Sequence, residues 1–513
     1  MSHPKIPERP HYNSQQQQQQ PHQQNRNSPF AQSSNSAAAT TTPATTTANN
    51  PSSNRLQFSS SVTSSKPTSG IINFGANFRE HLENSLESIE NFGGFKKYYR
   101  SDNANLSVDR EMNLEKKAVE LGVKFFLVAY STLNSDCRTC LVPTSSINEK
   151  HGCHLATAMF FKTTGADPDM FLVPDPKTFI QLPWKPDYAW VQGNMFLNGQ
   201  PAPQCPRRAL INMMERAKNS GLVMMSGIEP EFTILNKDGS DVGDNIDSRQ
   251  PMSLHDPLSI MRLAPLLTQI HDVMSAIGWK PYQIDHEATK CQYEINFSYA
   301  DALTTADRFC FMKFMMKQLA EEHGYRITFM PVPFANLLCS NGLHINVSLW
   351  NEKEKVNLFP DEADAKLGIS KLAYNFIGGL LSHVEESCAI LCPTVNSYKR
   401  LNLGSWCPNT ITWGGNNRTV LLRVPCENRV EHRLPDASIN PHLAHAIILA
   451  AGLDGIDNDA DPGPIIDFEV HTRPKEFKNV PTSLLEALDK FHESEFAREC
   501  LGDDYAFIYL FMD

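Results

Sequence analysis

Two glutamates separated by one residue, Glu229 and Glu231, lie inside the apolar run GIEPEFTIL. Side chains alternate between faces along a strand, so both carboxylates share one face while Ile228 and Phe232 point the other way. Carboxylates side by side against an apolar run repel one another and need a cation or a proton between them. The pattern recurs. In HEATKCQYEINFSY, Glu294 shares a face with Gln292 and Asn296, with Tyr293 and Ile295 behind, and Glu287 stands at the mouth of the same strand. LHINVSLW sets His344, Asn346 and Ser348 against Leu343, Ile345 and Val347, and RVEHRLP sets Arg429, Glu431 and Arg433 against Val430 and Leu434. Any one of these strands alone reads as a solvated outer face. Together their polar faces are rich in Glu and His and poor in Lys and Thr. Hard carboxylate ligands with one imidazole suit Mg²⁺ or Mn²⁺ rather than a structural zinc.

A second cluster is basic. NSYKRL carries Lys399 and Arg400, and NNRTVLLRVP carries Arg418 and Arg423. Guanidinium groups beside divalent cations are what polyphosphate transfer requires, because they neutralise charge on the transferring oxygens. Without the neighbouring carboxylates, a reading as surface arginines would be equally good.

The elements that position these groups follow from patterning. The spacing predicts helices over EMNLEKKAVELG, ended by Gly122, and over 207–220, 257–277, 300–323, 368–390 and 440–456. Between them VKFFLVAYS, MFLVPDP and YAWVQGNMF read as strands of a smaller α+β domain reaching to about Pro206. Antiparallel strands with one packed and one polar face account for the larger domain. Residues 1–70, with the Gln15–Gln20 run and Ser/Asn/Ala/Thr tracts, offer too little to bury and are expected to be a disordered tail. Residues 71–110 read as a connector with a short helix near FREHLENSLESIENF. No repeat of solenoid length is evident.

The chain has 513 residues, 41% hydrophobic and 20% charged, which suits two folded domains with extensions. A net charge of −11 argues against a general nucleic-acid or anionic-membrane binder, while leaving room for a local basic pocket. The opening MSHPKIPERPHYNS has no apolar core, and no apolar run is long enough to span a bilayer. The 12 cysteines are therefore expected to be reduced thiols in a cytoplasmic protein. CRTC (Cys137, Cys140) followed by HGCH at 151–154 suggests a zinc site on paper, but ordinary thiols are the better reading. LDGIDNDADPG lacks the EF-hand spacing and its closing Glu, so no calcium loop is expected.

The ordered series GIEPEF, DHEATKCQYEI, NGLH, PTVNSYKRL, NNRTVLLR and RVEHRLPD…NPHL…AGLDGI resembles the glutamine synthetase family over roughly residues 111–500. ADPDMFLVPDP, LPWKPDYAWV and SYADALTTADR are most similar to its divergent type III (GlnT-like) branch, near the γ-glutamylmethylamide and γ-glutamylpolyamine ligases. The resemblance implies an α+β protein. A small β-grasp domain over 111–206 would precede a catalytic domain over 207–513, built on a curved antiparallel sheet with surrounding helices. It implies a ring-shaped homo-oligomer with active sites at subunit junctions. Carried over by motif, Glu231, Glu287 and Glu294 would hold one Mg²⁺ or Mn²⁺, and Glu229, His344 and Glu431 a second. Arg400, Arg433 and Gly342 would bind glutamate, and Arg418 and Arg423 the phosphates of ATP. The implied reaction passes through γ-glutamyl phosphate, with ammonia or a primary amine as acceptor.

The sequence departs from the family pattern around the acceptor. The loop after NSYKRL reads NLGSWCP, with Trp406 where glutamine-forming members carry a Glu; Trp406 is thus assigned to the acceptor pocket. The ammonium-binding DGSS motif has no counterpart in TAMFFKTTGADPD; Ser340 replaces a Gly, Asn346 a second His, and Cys426 a basic residue. An aromatic wall suits an alkylamine better than bare ammonium. Three functions remain: a glutamate–ammonia ligase, a γ-glutamyl ligase for a primary amine or polyamine, and a non-catalytic structural relative. The six intact metal ligands argue against the last.

Overall fold

The computed structural model describes residues 113–133, 135–150, 152–156, 168–244, 254–335, 340–402 and 407–502. The expected tail and connector lie outside these residues, as does Trp406. These residues form a mixed helix-and-sheet structure with two sheets, the larger one curled and containing the polar strands identified above.

Helix α1 (Leu114–Leu121) opens the described chain. Asn113 caps it, accepting from the Lys116 amide, and Gly122 closes it in the left-handed conformation at φ 74°. The smaller sheet contains β1 (Phe125–Ser131), β2 (Cys137–Pro143), β3 (Cys153–Leu155), β4 (Met170–Pro174), β5 (Ile180–Gln181), β6 (Tyr188–Leu197) and β7 (Gln200–Pro201). Its path runs β2-β1-β6-β4-β3, with β5 and β7 also on β6. β1 is antiparallel to β2 and parallel to β6. Leu114, Phe126, Val128, Leu172 and Val191 form its core.

Helix α2 (Pro206–Asn219) leads into the larger sheet. Its Arg207 is buried and ties both parts together: it donates to Asp307 at 2.9 Å, to Asn194 on β6 at 2.8 Å and to Asp175 at 2.8 Å. A buried guanidinium tolerates this setting because its donors are met by carboxylates and an amide.

The larger sheet holds β8 (Leu222–Leu235), β9 (Pro281–His286), β10 (Gln292–Phe297), β11 (Ala300–Asp301), β12 (Arg326–Thr328), β13 (Leu343–Asn351), β14 (Trp413–Gly414), β15 (Leu422–Cys426) and β16 (Arg429–His432). Its path is β14-β15-β16-β13-β8-β10-β9. The 14-residue β8 is the spine, antiparallel to β13 along Leu222–Pro230 and to β10 near Glu231. Leu343, Ile345, Val347 and Leu349 of β13 are buried on one face, as alternation requires.

That apolar face is covered by α3 (Pro257–Ala276), α4 (Ala302–Glu322) and the central α8 (Pro441–Asp457). Three helices precede α8: α5 (Lys371–Ser382), α6 (Val384–Leu391) and α7 (Val395–Asn402). α9 (Leu484–Glu493) and α10 (Glu495–Leu501) follow it. The one helix expected over 368–390 is two, broken at His383. The cause is tertiary: the His383 ring bridges Glu386 (2.7 Å) and Asp454 (2.9 Å) and stacks on Phe496 at 3.7 Å. Close approach of α5 to α8 needs glycine, because a Cβ on Gly379 would lie 2.1 Å from the Ala451 carbonyl oxygen. No helix of the described residues is long and apolar enough to cross a membrane.

Candidate active site

The polar faces of β8, β10, β13 and β16 converge because antiparallel register sets their residues opposite one another. Glu231 pairs with Glu294, His344 with Glu229, and Asn346 with Glu431. Arg423 on β15 lies opposite Glu431. The result is a cavity of about 600 Å³ lined by Glu229, Glu231, Glu287, Glu294 and His344, with Arg400, Arg418, Arg423 and Arg433 around them. The candidate metal-binding and arginine residues are thus brought together, Glu431 joining through its contacts and Gly342 through its amide.

Two sets of ligand atoms lie within 4.8 Å of one another: Glu229, His344 and Glu431, and Glu231, Glu294 and His344. His344 belongs to both. The first set has the grouping carried over from the motifs. The second differs, because Glu287 lines the same cavity yet stands outside the tight group, while His344 stands inside it. Glu287 follows β9 rather than lying in a strand, and its amide is held by the Gln292 carbonyl at 2.8 Å. Among the described residues no cysteine belongs to such a group; Cys140 and Cys153 hydrogen-bond to each other and are free thiols.

The electrostatics divide the carboxylates into two kinds. Burial works against the Glu431 carboxylate, but His344, Arg433 and Arg423 more than offset it and hold its pKa down at about 2. Arg423 donates to it at 2.7 Å and Arg433 at 2.6 Å. Burial likewise opposes charge on Glu229, and hydrogen bonds from His344 and Asn346 overcome it, leaving its pKa lowered. The compensation at Glu287 and Glu294 is weaker: Arg418 acts on Glu287 and Asn296 donates to Glu294 at 2.9 Å, but neither prevails. Burial, then Glu231 and Asp285, push Glu287 up to about 7; burial, then Glu229 and Glu231, push Glu294 well above the carboxylate range. Carboxylates whose charge is disfavoured by one another are satisfied by a divalent cation, so this donor set fits Mg²⁺ or Mn²⁺.

The remaining contacts fix the site's shape. Glu231 accepts from Gln292 at 2.8 Å and from the Gly342 amide at 2.9 Å. Arg400, almost fully buried, donates to the Leu434 carbonyl at 2.7 Å and the Arg433 carbonyl at 3.2 Å. Gly342 has no room for a side chain: a Cβ would lie 2.9 Å from Arg400 Nη2 and 3.2 Å from Glu231 Oε1. Asn346, which stands where a second His was expected, bridges Glu229 (2.9 Å) and Arg429 (2.8 Å).

Sequence reasoning assigned no role to several cavity residues. Asp285 alternates with Glu287 and joins the lining, as do His255 and Tyr282; only the spacing of Asp285 signalled it. A second cavity of about 570 Å³ shares Glu229, Tyr282, Asn296 and Arg429 with the first. Tyr299 and Trp350 form its aromatic wall, with ring centroids 6.4 Å apart. Trp350 ends the strand LHINVSLW, and its aromatic character was the available clue.

Comparison with known proteins agrees with this geometry. The family profile described as glutamine synthetase, catalytic domain, matches residues 203–512. A glutamine synthetase of Rhizobium meliloti is 41% identical over 411 residues, covering 78% of this chain and 94% of that protein. A glutamate–methylamine ligase of Methyloversatilis universalis is 35% identical, covering 74% and 89%. The solved structure titled "GmaS/ADP complex" is 41% identical with a TM-score of 0.75, covering 78% of this chain and 95% of that one.

Proposed function

The chain belongs to the glutamine synthetase family, and from that membership and its cavity we propose that it is a glutamate–ammonia ligase that consumes ATP and acts through γ-glutamyl phosphate. The observation that carries this reading is the convergence of four antiparallel strands on one cavity, with a carboxylate–imidazole floor and an arginine rim.

In this reading glutamate lies against Arg400, Arg433 and the Gly342 backbone, where a side chain would displace Arg400. The nucleoside end of ATP occupies the second cavity, whose Tyr299 and Trp350 offer faces for a purine ring. The shared residues Glu229 and Arg429 mark the junction, so the triphosphate points from the aromatic wall toward Arg418 and Arg423. Glu229, His344 and Glu431 would hold one divalent cation, and Glu231, Glu294 and Glu287 another. When bound, such cations neutralise phosphate charge and orient the reactants.

The γ-carboxylate oxygen attacks the γ-phosphorus, the bond to ADP breaks, and an acyl phosphate forms. Arg418 and Arg423 stabilise charge on the transferring oxygens. The amine then attacks the carbonyl carbon, phosphate leaves, and the nitrogen gives up a proton. Glu431 contributes by fixing Arg423 and Arg433 in place through its two short ion pairs.

A methylamine-type acceptor is the second reading. It is favoured by the similarity to glutamate–methylamine ligase and by Trp406 in the acceptor loop. A ring-shaped homo-oligomer belongs to the same proposal and is tested by light scattering. The acceptor is tested by phosphate release with ATP, Mg²⁺ and glutamate, scanned over ammonia, methylamine and putrescine. Turnover with ammonia supports the first reading. Turnover with an alkylamine but not ammonia replaces it with the second, and no turnover with any amine contradicts both.

A further inference from the structure

A cavity of about 870 Å³ shares no lining residue with the catalytic cavity. It is bounded by Leu127 of β1 and the turn that follows that strand, by one face of α4, and by the segments 182–188, 328–331, 394–396 and 437–438. Two cations, Lys313 and Lys317, project from α4 one turn apart.

Lys313 is poorly compensated. Its ammonium donates to the Ser135 hydroxyl at 3.3 Å and the Ile439 carbonyl at 3.4 Å, both neutral and both long. It also lies 4.5 Å from the centroid of the Phe309 ring. Among the described residues it forms no ion pair with a carboxylate. Burial pushes its pKa down to about 8, with Cys310 and Asp436 resisting and Lys317 adding repulsion. The nearby acid Asp136 is already engaged with Arg138 at 2.9 Å. Leu182, Phe329 and, from α4 itself, Phe314 supply apolar wall, while Lys185 and Glu321 are further charged groups of the lining. A half-desolvated cation with a second cation one turn away, beside apolar wall, is satisfied by an anion that carries a hydrophobic body.

We propose that this cavity is a second ligand site, separate from the ligase centre, and that it binds a small organic carboxylate: the carboxylate between Lys313 and Lys317, the apolar body against Phe314 and Phe329. An organic carboxylate fits better than inorganic phosphate, since a bare phosphate would leave the apolar walls facing water.

The test is calorimetric titration of the full chain with phenylpyruvate and hexanoate, with inorganic phosphate as a parallel arm and glutamate saturating to block the catalytic site. The expected result is saturable binding of at least one carboxylate in the presence of glutamate, weakened about tenfold or more in Lys313→Met and in Lys317→Met. Lys317 is exposed, so its variant carries the test even if Lys313→Met fails to fold. The proposal is overturned if neither carboxylate binds saturably. It is also overturned if glutamate displaces them, if Lys317→Met binds as well as the parent, or if phosphate binds as tightly as the carboxylates.

Discussion

Replacing Gly342 by alanine adds one methyl group at the point where three parts of the site meet. The new Cβ would stand 2.9 Å from Arg400 Nη2, 3.2 Å from Glu231 Oε1 and 3.5 Å from His344 Nε2. Unstrained contacts of this kind need roughly 3.5 Å or more, so the arginine must move by about half an ångström or more. Arg400 has little freedom to do so, because it is tethered to the Leu434 and Arg433 carbonyls. Overpacking of this kind costs about 1–3 kcal/mol of stability. The functional cost is larger, since displacing a substrate-positioning group by about 1 Å lowers rates on the order of 10²-fold. Gly342 does not hold a left-handed conformation, so the effect is steric and not a matter of backbone strain. Steady-state phosphate release, varied separately in glutamate and ATP, should show kcat/KM for glutamate down by about 10²-fold with the KM for ATP much less affected. A variant whose kcat/KM for glutamate stays within about twofold of the parent would refute the placement of Arg400 and Gly342 at the glutamate site.

Other perturbations probe separate parts of the account. Glu231→Ala and His344→Ala each remove a member of a ligand set and should abolish turnover; activity retained in either would break the site assignment. Arg207→Met removes the ion pairs of Asp175 and Asp307, leaving the buried Asp307 its contact to His442 at 2.9 Å, and should cost about 3–5 kcal/mol in denaturant unfolding, against no change if the buried network is incidental. Burial opposes charge on His383, but its bonds to Glu386 and Asp454 win and raise its pKa. Its stabilising contribution is therefore fully present below the unfolded value of about 6.5 and is lost as pH rises through the raised folded value. The Tm gap between the parent and His383→Leu should accordingly be wider at acidic than at alkaline pH, and a gap that widens with pH would contradict the clamp. Trp406→Glu should shift preference from alkylamines toward ammonia, and an unchanged acceptor ratio would show that Trp406 does not set it.

The polar floor of the site was legible because strand alternation is strictly two-fold. Once GIEPEFTIL and LHINVSLW are strands, Glu229, Glu231 and His344 must share the face opposite Ile228 and Ile345. What alternation does not carry is register. The placement of His344 between Glu229 and Glu431, and its entry into the set expected for Glu287, depends on which residues lie opposite across β8, β13 and β16. The inner arginine pairs escaped for the same reason: nothing local to NNRTVLLRVP says that Arg423 reaches back to Glu431. The break at His383 arises from Asp454 and Phe496, 71 and more residues away, so helical periodicity ran through it. The cavity around Lys313 draws on seven stretches of chain and has no sequence signature.

The central claim is that the carboxylate–imidazole floor and arginine rim transfer the γ-phosphoryl group of ATP to the γ-carboxylate of glutamate. Isotope transfer tests it most directly. With glutamate carrying ¹⁸O in both γ-carboxylate oxygens and an accepted amine present, each turnover should deliver one ¹⁸O atom into the released phosphate, because the acyl–oxygen bond breaks after phosphorylation. Phosphate that carries no ¹⁸O while amide accumulates would contradict the γ-glutamyl phosphate route and, with it, the reading of the site.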